Sequence, residues 1–186
     1  DWSSDVCSSD LNSAYCNNKT NSLAQLLKKT GYSTAFFHGG INGTMNFDSY
    51  SKTAGFEKYF GKKEYGNDKD FDGNWGIWDE PYLQYFASEL NKQPTPFFAS
   101  LFTLSSHHPY RLPDKYKNRF VNNGLEISPT IGYTDNALRL FFASAKNTTW
   151  YDNTLFVLVP DHTGISSDPF YANPIGQHRD RKSTRL

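Results

Sequence analysis

The chain has 186 residues, 37% of them hydrophobic and 17% aromatic, with 19 basic side chains against 19 acidic ones. A balanced charge without a polybasic run excludes a protein that grips a nucleic-acid backbone electrostatically, and no stretch approaches the ~20 apolar residues that span a bilayer. This much chain supports one domain, whose core removes roughly two-thirds of the unfolded surface from water.

Taken in chain order, the ends come first. Residues 1–11 (DWSSDVCSSDL) and 180–186 (DRKSTRL) read as translations of the adapter oligonucleotides used in short-read sequencing, in opposite orientations. Artefactual segments are excluded from fold reasoning, so residues 12–179 are the expected native stretch, cut from a longer gene at both sides. Setting the ends aside removes Asp1, Asp5, Asp10 and Asp180 against Arg181, Lys182 and Arg185, which moves the net charge from zero to near +1. Cys7 goes as well and leaves Cys16 alone, so no disulfide framework is expected.

Residues 21–31 (NSLAQLLKKTG) open on Asn and Ser and close on glycine, which predicts a short capped helix with Leu23, Leu26 and Leu27 on one face. Residues 32–40 (YSTAFFHGG) predict a strand that ends in glycine. A second short helix is expected over 46–54, closed by Gly55, and a short strand over 57–61. Residues 61–76 are polar and glycine-punctuated, a long loop of the kind that lines binding sites. Residues 79–92 start with two acids and Pro81 and place Leu83, Phe86 and Leu90 together, a helix. FFASLFTL (97–104) reads as a buried strand. Residues 106–130 are irregular, with one helical turn near Asp114. Residues 130–147 return to a helical period, and 154–159 (TLFVLV) reads as a second buried strand. Helices and strands in alternation predict an α/β fold with a mostly parallel sheet and helices on both faces.

Three of these strands exit into residues that carry chemistry. The first delivers His38, Gly39 and Gly40, the next Ser105, Ser106, His107 and His108, and the last Asp161 and His162. Ligands of open parallel sheets bind at the carboxyl ends of the strands, so the three exits can share one crevice. A carboxylate and an imidazole delivered side by side suit a divalent cation. Each group also has an ordinary reading: His38 hydrogen-bonded structurally, one of His107 and His108 pointing outward, Asp161 capping a turn. Trp75 or Trp78 is available as an aromatic wall, or for packing.

The runs LFTLSSHHPY (101–110), GYTDNALRLFF (132–142) and WYDNTLFVLVPDHTG (150–164), with residues 36–61 and 65–86 before them, resemble in order and spacing the lipoteichoic acid synthase-like sulfatases of the alkaline phosphatase superfamily. The similarity covers nearly all of residues 21–175 and is nearest to members associated with Gram-negative bacteria. It implies a sulfatase-like fold, incomplete at its N-terminal side. In the parent it implies a metal-dependent phosphoglycerol- or phosphoethanolamine-type transferase, or a sulfuric or phosphoric ester hydrolase, acting on cell-envelope glycolipids or glycans. By the same resemblance Asp161 and His162 are metal ligands, His107 holds the substrate's phosphate group, and His38 lies at the rim. The implied cofactor is one divalent cation, Mn²⁺ before Mg²⁺, Zn²⁺ or Ca²⁺. Met45 and Phe47 stand where the family carries a tryptophan and an arginine, so no specificity for glycerol phosphate is implied. The family's nucleophilic threonine falls upstream of residue 12, and the chain as written is expected to be inactive. The implied partner is a lipid-linked ester, and the implied location is a Gram-negative inner membrane, anchored by helices in the missing part, with this domain in the periplasm. A non-catalytic binding module that keeps half a metal site is the rival reading, and a plain α/β domain with structural histidines is a third.

Overall fold

The computed structural model describes residues 21–160, 168–170 and 172. Helix α1 (Leu23–Lys29) starts where the Ser22 hydroxyl accepts the Gln25 backbone N–H at 3.1 Å, a cap that satisfies one of the orphan donors of the first turn. Strand β1 (Ser33–His38) follows, then α2 (Phe47–Thr53), β2 (Lys58–Phe60), a single helical turn α3 (Lys62–Tyr65), α4 (Asp79–Leu90), β3 (Phe97–Phe102) and α5 (Ser128–Ala145). The three strands form one parallel sheet in the order β2-β1-β3.

Period-two alternation decides which side of β1 meets which helices. Ala35 and Phe37 point toward α4 and α5, where Phe37 stacks on Phe60 at 4.4 Å and meets Phe86 edge-on at 4.7 Å. Phe36 and His38 point the other way, into rings from Phe47, Phe56, Tyr59 and Phe102. Helices α4 and α5 pack on each other through Leu83, Ala87 and Leu90 against Ala137, Phe141 and Ala145, and Trp150 closes that core. Helices thus cover both faces of a parallel sheet, as the alternating sequence pattern predicts.

Three expectations change. The leucine face of α1 is not its buried face: Leu23 and Leu26 are exposed and Ala24 is buried. The reason lies in Gly55, where a Cβ would come within 2.4 Å of Gln25 Cγ; the helix approaches closely with its small residue inward. The loop over 61–76 is built rather than open. It contains α3, opened by the Glu64 carboxylate accepting the Gly61 N–H at 2.7 Å, and an antiparallel bridge between Phe71 and Ile77.

The largest change is at 154–159, expected as a buried strand. After a helical turn at Tyr151–Asn153, residues 154–160 belong to no strand. Leu155 is 87% exposed, Val157, Leu158 and Val159 are exposed too, and Phe156 alone docks, against Phe142 at 5.1 Å and Tyr151 at 5.4 Å. Apolar composition favours burial but does not supply a ladder for the backbone donors and acceptors. The available edge, β3, is itself only half-buried along all six residues.

Candidate functional site at the strand exits

Strand β1 ends at His38, and the chain turns at once through two glycines. Gly40 is obligatory there, because a Cβ would lie 2.6 Å from His38 Cε1. The turn is fastened by Ile77 N–H donating to the Gly39 carbonyl at 3.0 Å and Lys62 N–H donating to the Gly40 carbonyl at 2.9 Å. His38 itself is 2% exposed, stacked on Phe47 at 4.3 Å, with Nδ1 3.2 Å from the Tyr59 hydroxyl. Burial holds its pKa down to about 4, so the ring is neutral at ordinary pH. The sequence resemblance puts this residue at the rim; the structure sets the imidazole beneath it, because Phe47, standing where an arginine is expected, covers the ring instead of leaving it open to an anion.

The second exit carries His107, which is half-buried. Its ring lies on Trp75 with centroids 3.9 Å apart. The His108 carbonyl oxygen accepts the Trp75 indole N–H at 2.5 Å and sits 3.1 Å from His107 Nδ1. With Nδ1–H donating to that carbonyl, Nε2 is left as the ring atom for a ligand. His108 is exposed and meets only the Tyr110 ring, edge-on at 5.6 Å. The two rings thus have different neighbours, His107 packed on Trp75 and His108 standing beside Tyr110.

Trp75 reaches His107 from a tight turn organised by Asp72. Its Oδ1 accepts the backbone N–H groups of Asn74 at 2.7 Å, Trp75 at 2.8 Å and Gly76 at 3.1 Å. Gly76 bridges to Gly40, so the turn that holds Trp75 is pinned to the end of β1. The fold thereby brings the first two strand exits together through one hairpin. Trp78 is not part of this wall; it packs edge-on against Tyr133 at 6.1 Å. Beside the exits an open groove of about 950 Å³ runs past Trp78, Glu80, Tyr110, Arg111 and Tyr133. Tyr110, in the left-handed region at φ 56°, carries the chain from the His107 loop along that groove.

A buried group that sequence reading takes only as a helix-start acid lies directly under the second exit. Asp79 is 3% exposed. Its Oδ1 accepts the N–H groups of Leu104 at 2.9 Å and Ser105 at 3.2 Å, its Oδ2 accepts the Thr134 hydroxyl at 2.6 Å, and its own N–H donates to Ser105 Oγ at 3.0 Å. Burial pushes the Asp79 carboxyl above the ordinary range, while the donors from Thr134, Leu104 and Ser105 pull it back. Its sequence signal was a carboxylate directly after the apolar pair Ile77-Trp78, a place where a solvated acid is out of keeping.

Asp161 and His162, the expected metal ligands, lie outside the described residues. Among the described residues no group of three or more His, Cys, Asp or Glu side chains is placed to hold a metal ion. Asp161 and His162 are two donors, fewer than the four of a zinc site or the six of a magnesium site, so a complete site takes further ligands. Among them, too, no helix is long and apolar enough to cross a membrane.

A family model for the sulfatases matches residues 7–184, a span that reaches into both terminal segments. Lipoteichoic acid synthase 1 of Bacillus subtilis is 32% identical over 157 residues, which is 81% of this chain and 25% of that protein; the chain thus spans about a quarter of the length of the curated relatives it matches. Of the solved structures, a protein in the alkaline phosphatase superfamily from Vibrio parahaemolyticus superposes with a TM-score of 0.67 at 30% identity, over 76% of this chain and 35% of that one. The lipoteichoic acid synthase LtaP from Listeria monocytogenes superposes with a TM-score of 0.64 at 24% identity, over 74% of this chain and 35% of that one. Lipoteichoic acid synthases of Bacillus, Staphylococcus and Listeria are Gram-positive proteins, and they overturn the expected Gram-negative inner-membrane location. A family match along almost the whole sequence, on an α/β fold built around a parallel sheet, makes the chain a member of the sulfatase family in the alkaline phosphatase superfamily.

Proposed function

We propose that this chain is part of the catalytic domain of an enzyme that transfers or hydrolyses a phosphate or sulfate ester on a cell-envelope component, of the phosphoglycerol- or phosphoethanolamine-transferase or sulfatase type. The observation that carries the reading is His107: a ring fixed by Trp75 and by the His108 carbonyl at the exit of β3, with Nε2 left for a ligand. Its imidazolium form donates from Nε2 to a non-bridging oxygen of the ester and holds that oxygen as charge shifts toward it in the transition state. His38 does not reach out to the ester. Neutral and packed under Gly40, it shapes the floor of the rim on which the substrate rests.

Asp161 and His162 are the residues that would hold a divalent cation, Mn²⁺ by the family resemblance, and such an ion supplies charge screening and a lowered pKa for an attacking oxygen. Thr134 is not that attacking group by the family resemblance, which places the nucleophilic threonine upstream of residue 12. The relatives' own names point to lipoteichoic acid, so a lipid-linked phosphoglycerol ester is the first substrate class to offer, with an alcohol or water as acceptor.

The test is hydrolysis of a chromogenic phosphodiester, phosphomonoester and sulfate ester by a full-length protein that contains this sequence, with Mn²⁺, Mg²⁺, Zn²⁺ or Ca²⁺ added. We expect turnover that depends on the cation and falls at least 100-fold, on the order of 3 kcal/mol, in His107→Ala. The paired Asp161→Ala/His162→Ala variant should abolish turnover and lower bound metal. Turnover unchanged in His107→Ala would remove the reading.

A further inference from the structure

We propose that Asp79 is a positioning residue for the ester-binding loop: its buried carboxylate sets the path of residues 104–108 and so the placement of the His107 ring. The inference rests on His107 meeting the substrate, as argued above, and adds the group that holds it there.

The geometry is unusually one-directional. Two backbone N–H groups in the loop just beyond β3, those of Leu104 and Ser105, point at a single carboxylate oxygen, at 2.9 and 3.2 Å. The Asp79 N–H returns a bond to Ser105 Oγ at 3.0 Å, so residues 79 and 105 are tied in both directions. The other oxygen takes the Thr134 hydroxyl proton at 2.6 Å. That proton being used, the 3.0 Å contact between Ser106 Oγ and Thr134 Oγ1 is read with Ser106 donating, in preference to its longer 3.4 Å approach to the Thr130 carbonyl. A relay of donors therefore runs from Ser106, next to His107, through Thr134 on α5 to Asp79 at the start of α4. The His107 N–H continues the same turn by donating to the Leu104 carbonyl at 3.2 Å. A carboxylate that only opened a helix would be better placed in water, where it interacts with the dipole without a desolvation cost. This one is buried, three hydrogen bonds join it to the loop and to α5, and the Asp79 backbone N–H adds a fourth to Ser105 Oγ.

Asp79→Asn keeps the shape but turns one acceptor into a donor. The amide oxygen keeps one side of the network, and the amide N–H₂ on the other side forces the Thr134 or Ser106 hydroxyl to reverse. Thr134→Val is a second variant, nearly isosteric, that removes the relay while leaving Asp79 its two backbone donors.

The experiment is a double-mutant cycle on phosphodiester turnover by the full-length protein, with the single variants Asp79→Asn, Thr134→Val and His107→Ala and the two doubles with His107→Ala. Each variant is checked for folding by its melting temperature. We expect Asp79→Asn and Thr134→Val to lower kcat/KM about tenfold with His107 present and less than twofold without it, because a residue acting through another loses its effect when that other is gone. Independently of turnover, the His107 ring signals in ¹⁵N–¹H correlation spectra should show a proton on Nδ1, held by the His108 carbonyl, in the parent and a changed ring environment in Asp79→Asn. Equal losses in the two backgrounds would make Asp79 merely structural and overturn the proposal, as would unchanged turnover and ring signals in a folded variant. A silent His107→Ala would instead remove the functional reading on which it stands, a result the ring signals distinguish.

Discussion

His38 illustrates how a single neighbour decides what a titratable side chain can do. An imidazole at the end of a parallel strand is in the right place for chemistry, yet stacked on Phe47 and covered by the Gly40 turn it has no water to stabilise a positive charge. Its folded-state pKa of about 4 lies below the ordinary value of 6.5, so the unfolded chain binds the proton more readily than the folded one. Stability must then fall as pH drops through the window from 6.5 to about 4, by about 3 kcal/mol if burial is the whole cause. Carboxylates such as Glu57 and Glu64, whose pKa values are lowered by hydrogen bonds and nearby lysines, add their own acid limb at lower pH. The His38 part is isolated by comparing His38→Gln with the parent: urea midpoints between pH 7 and 4 should fall less steeply in the variant. Parallel curves would mean that the ring is charged or solvated in the fold.

At the scale of elements, the hairpin over Phe71–Ile77 sets the spacing of the site, because it docks on β1 at one end and carries Trp75 to His107 at the other. Gly76 is where the docking is tightest: a Cβ there would lie 2.6 Å from the Gly39 carbonyl oxygen and 2.6 Å from Leu104 Cδ1. The carbonyl is backbone and cannot swing away, so Gly76→Ala should cost about 1–3 kcal/mol by overpacking and weaken the Trp75–His107 contact with it. Gly73→Ala, in the same hairpin with φ +83 and open space around it, carries only the left-handed backbone penalty of about 1–2 kcal/mol and should leave the His107 ring signals unchanged. Equal effects on those signals would show that the close approach is not what sets the spacing. The contrast between elements also explains what sequence could reveal. Helices α4 and α5 and strand β1 were legible because periodic apolar positions and caps are local signals. The buried side of α1 and the network around Asp79 were not, since both depend on residues brought from thirty or more positions away, Ala54 meeting Ser22 and Thr134 meeting Asp79. The strand ends were legible as a site for a topological reason that needs no side-chain detail, while the expected metal pair falls outside the described residues.

Over the whole molecule, the sheet is asymmetric in how its edges are covered. Strand β3 is only half-buried along its length, and the apolar run 155–159 lies exposed except for Phe156, which the rings of Phe142, Tyr151 and Trp150 hold. An exposed strand edge together with an unpaired run rich in valine and leucine is a template for pairing between chains. Charge gives little protection, because 19 basic and 19 acidic residues leave the chain near neutrality, where association is favoured. We therefore expect this chain to self-associate in a concentration-dependent way at pH 7. The double variant Val157→Lys/Val159→Lys places two charges on exposed side chains and leaves the docked Phe156 in place, so it should leave the helical signal and the melting temperature of the α4–α5 core unchanged. Sedimentation velocity across a range of concentrations separates the causes: a shift toward monomer in the double variant would assign association to this run. Persistence of the same oligomers would move the cause elsewhere, first to the exposed Leu23 and Leu26, which lie close together on α1.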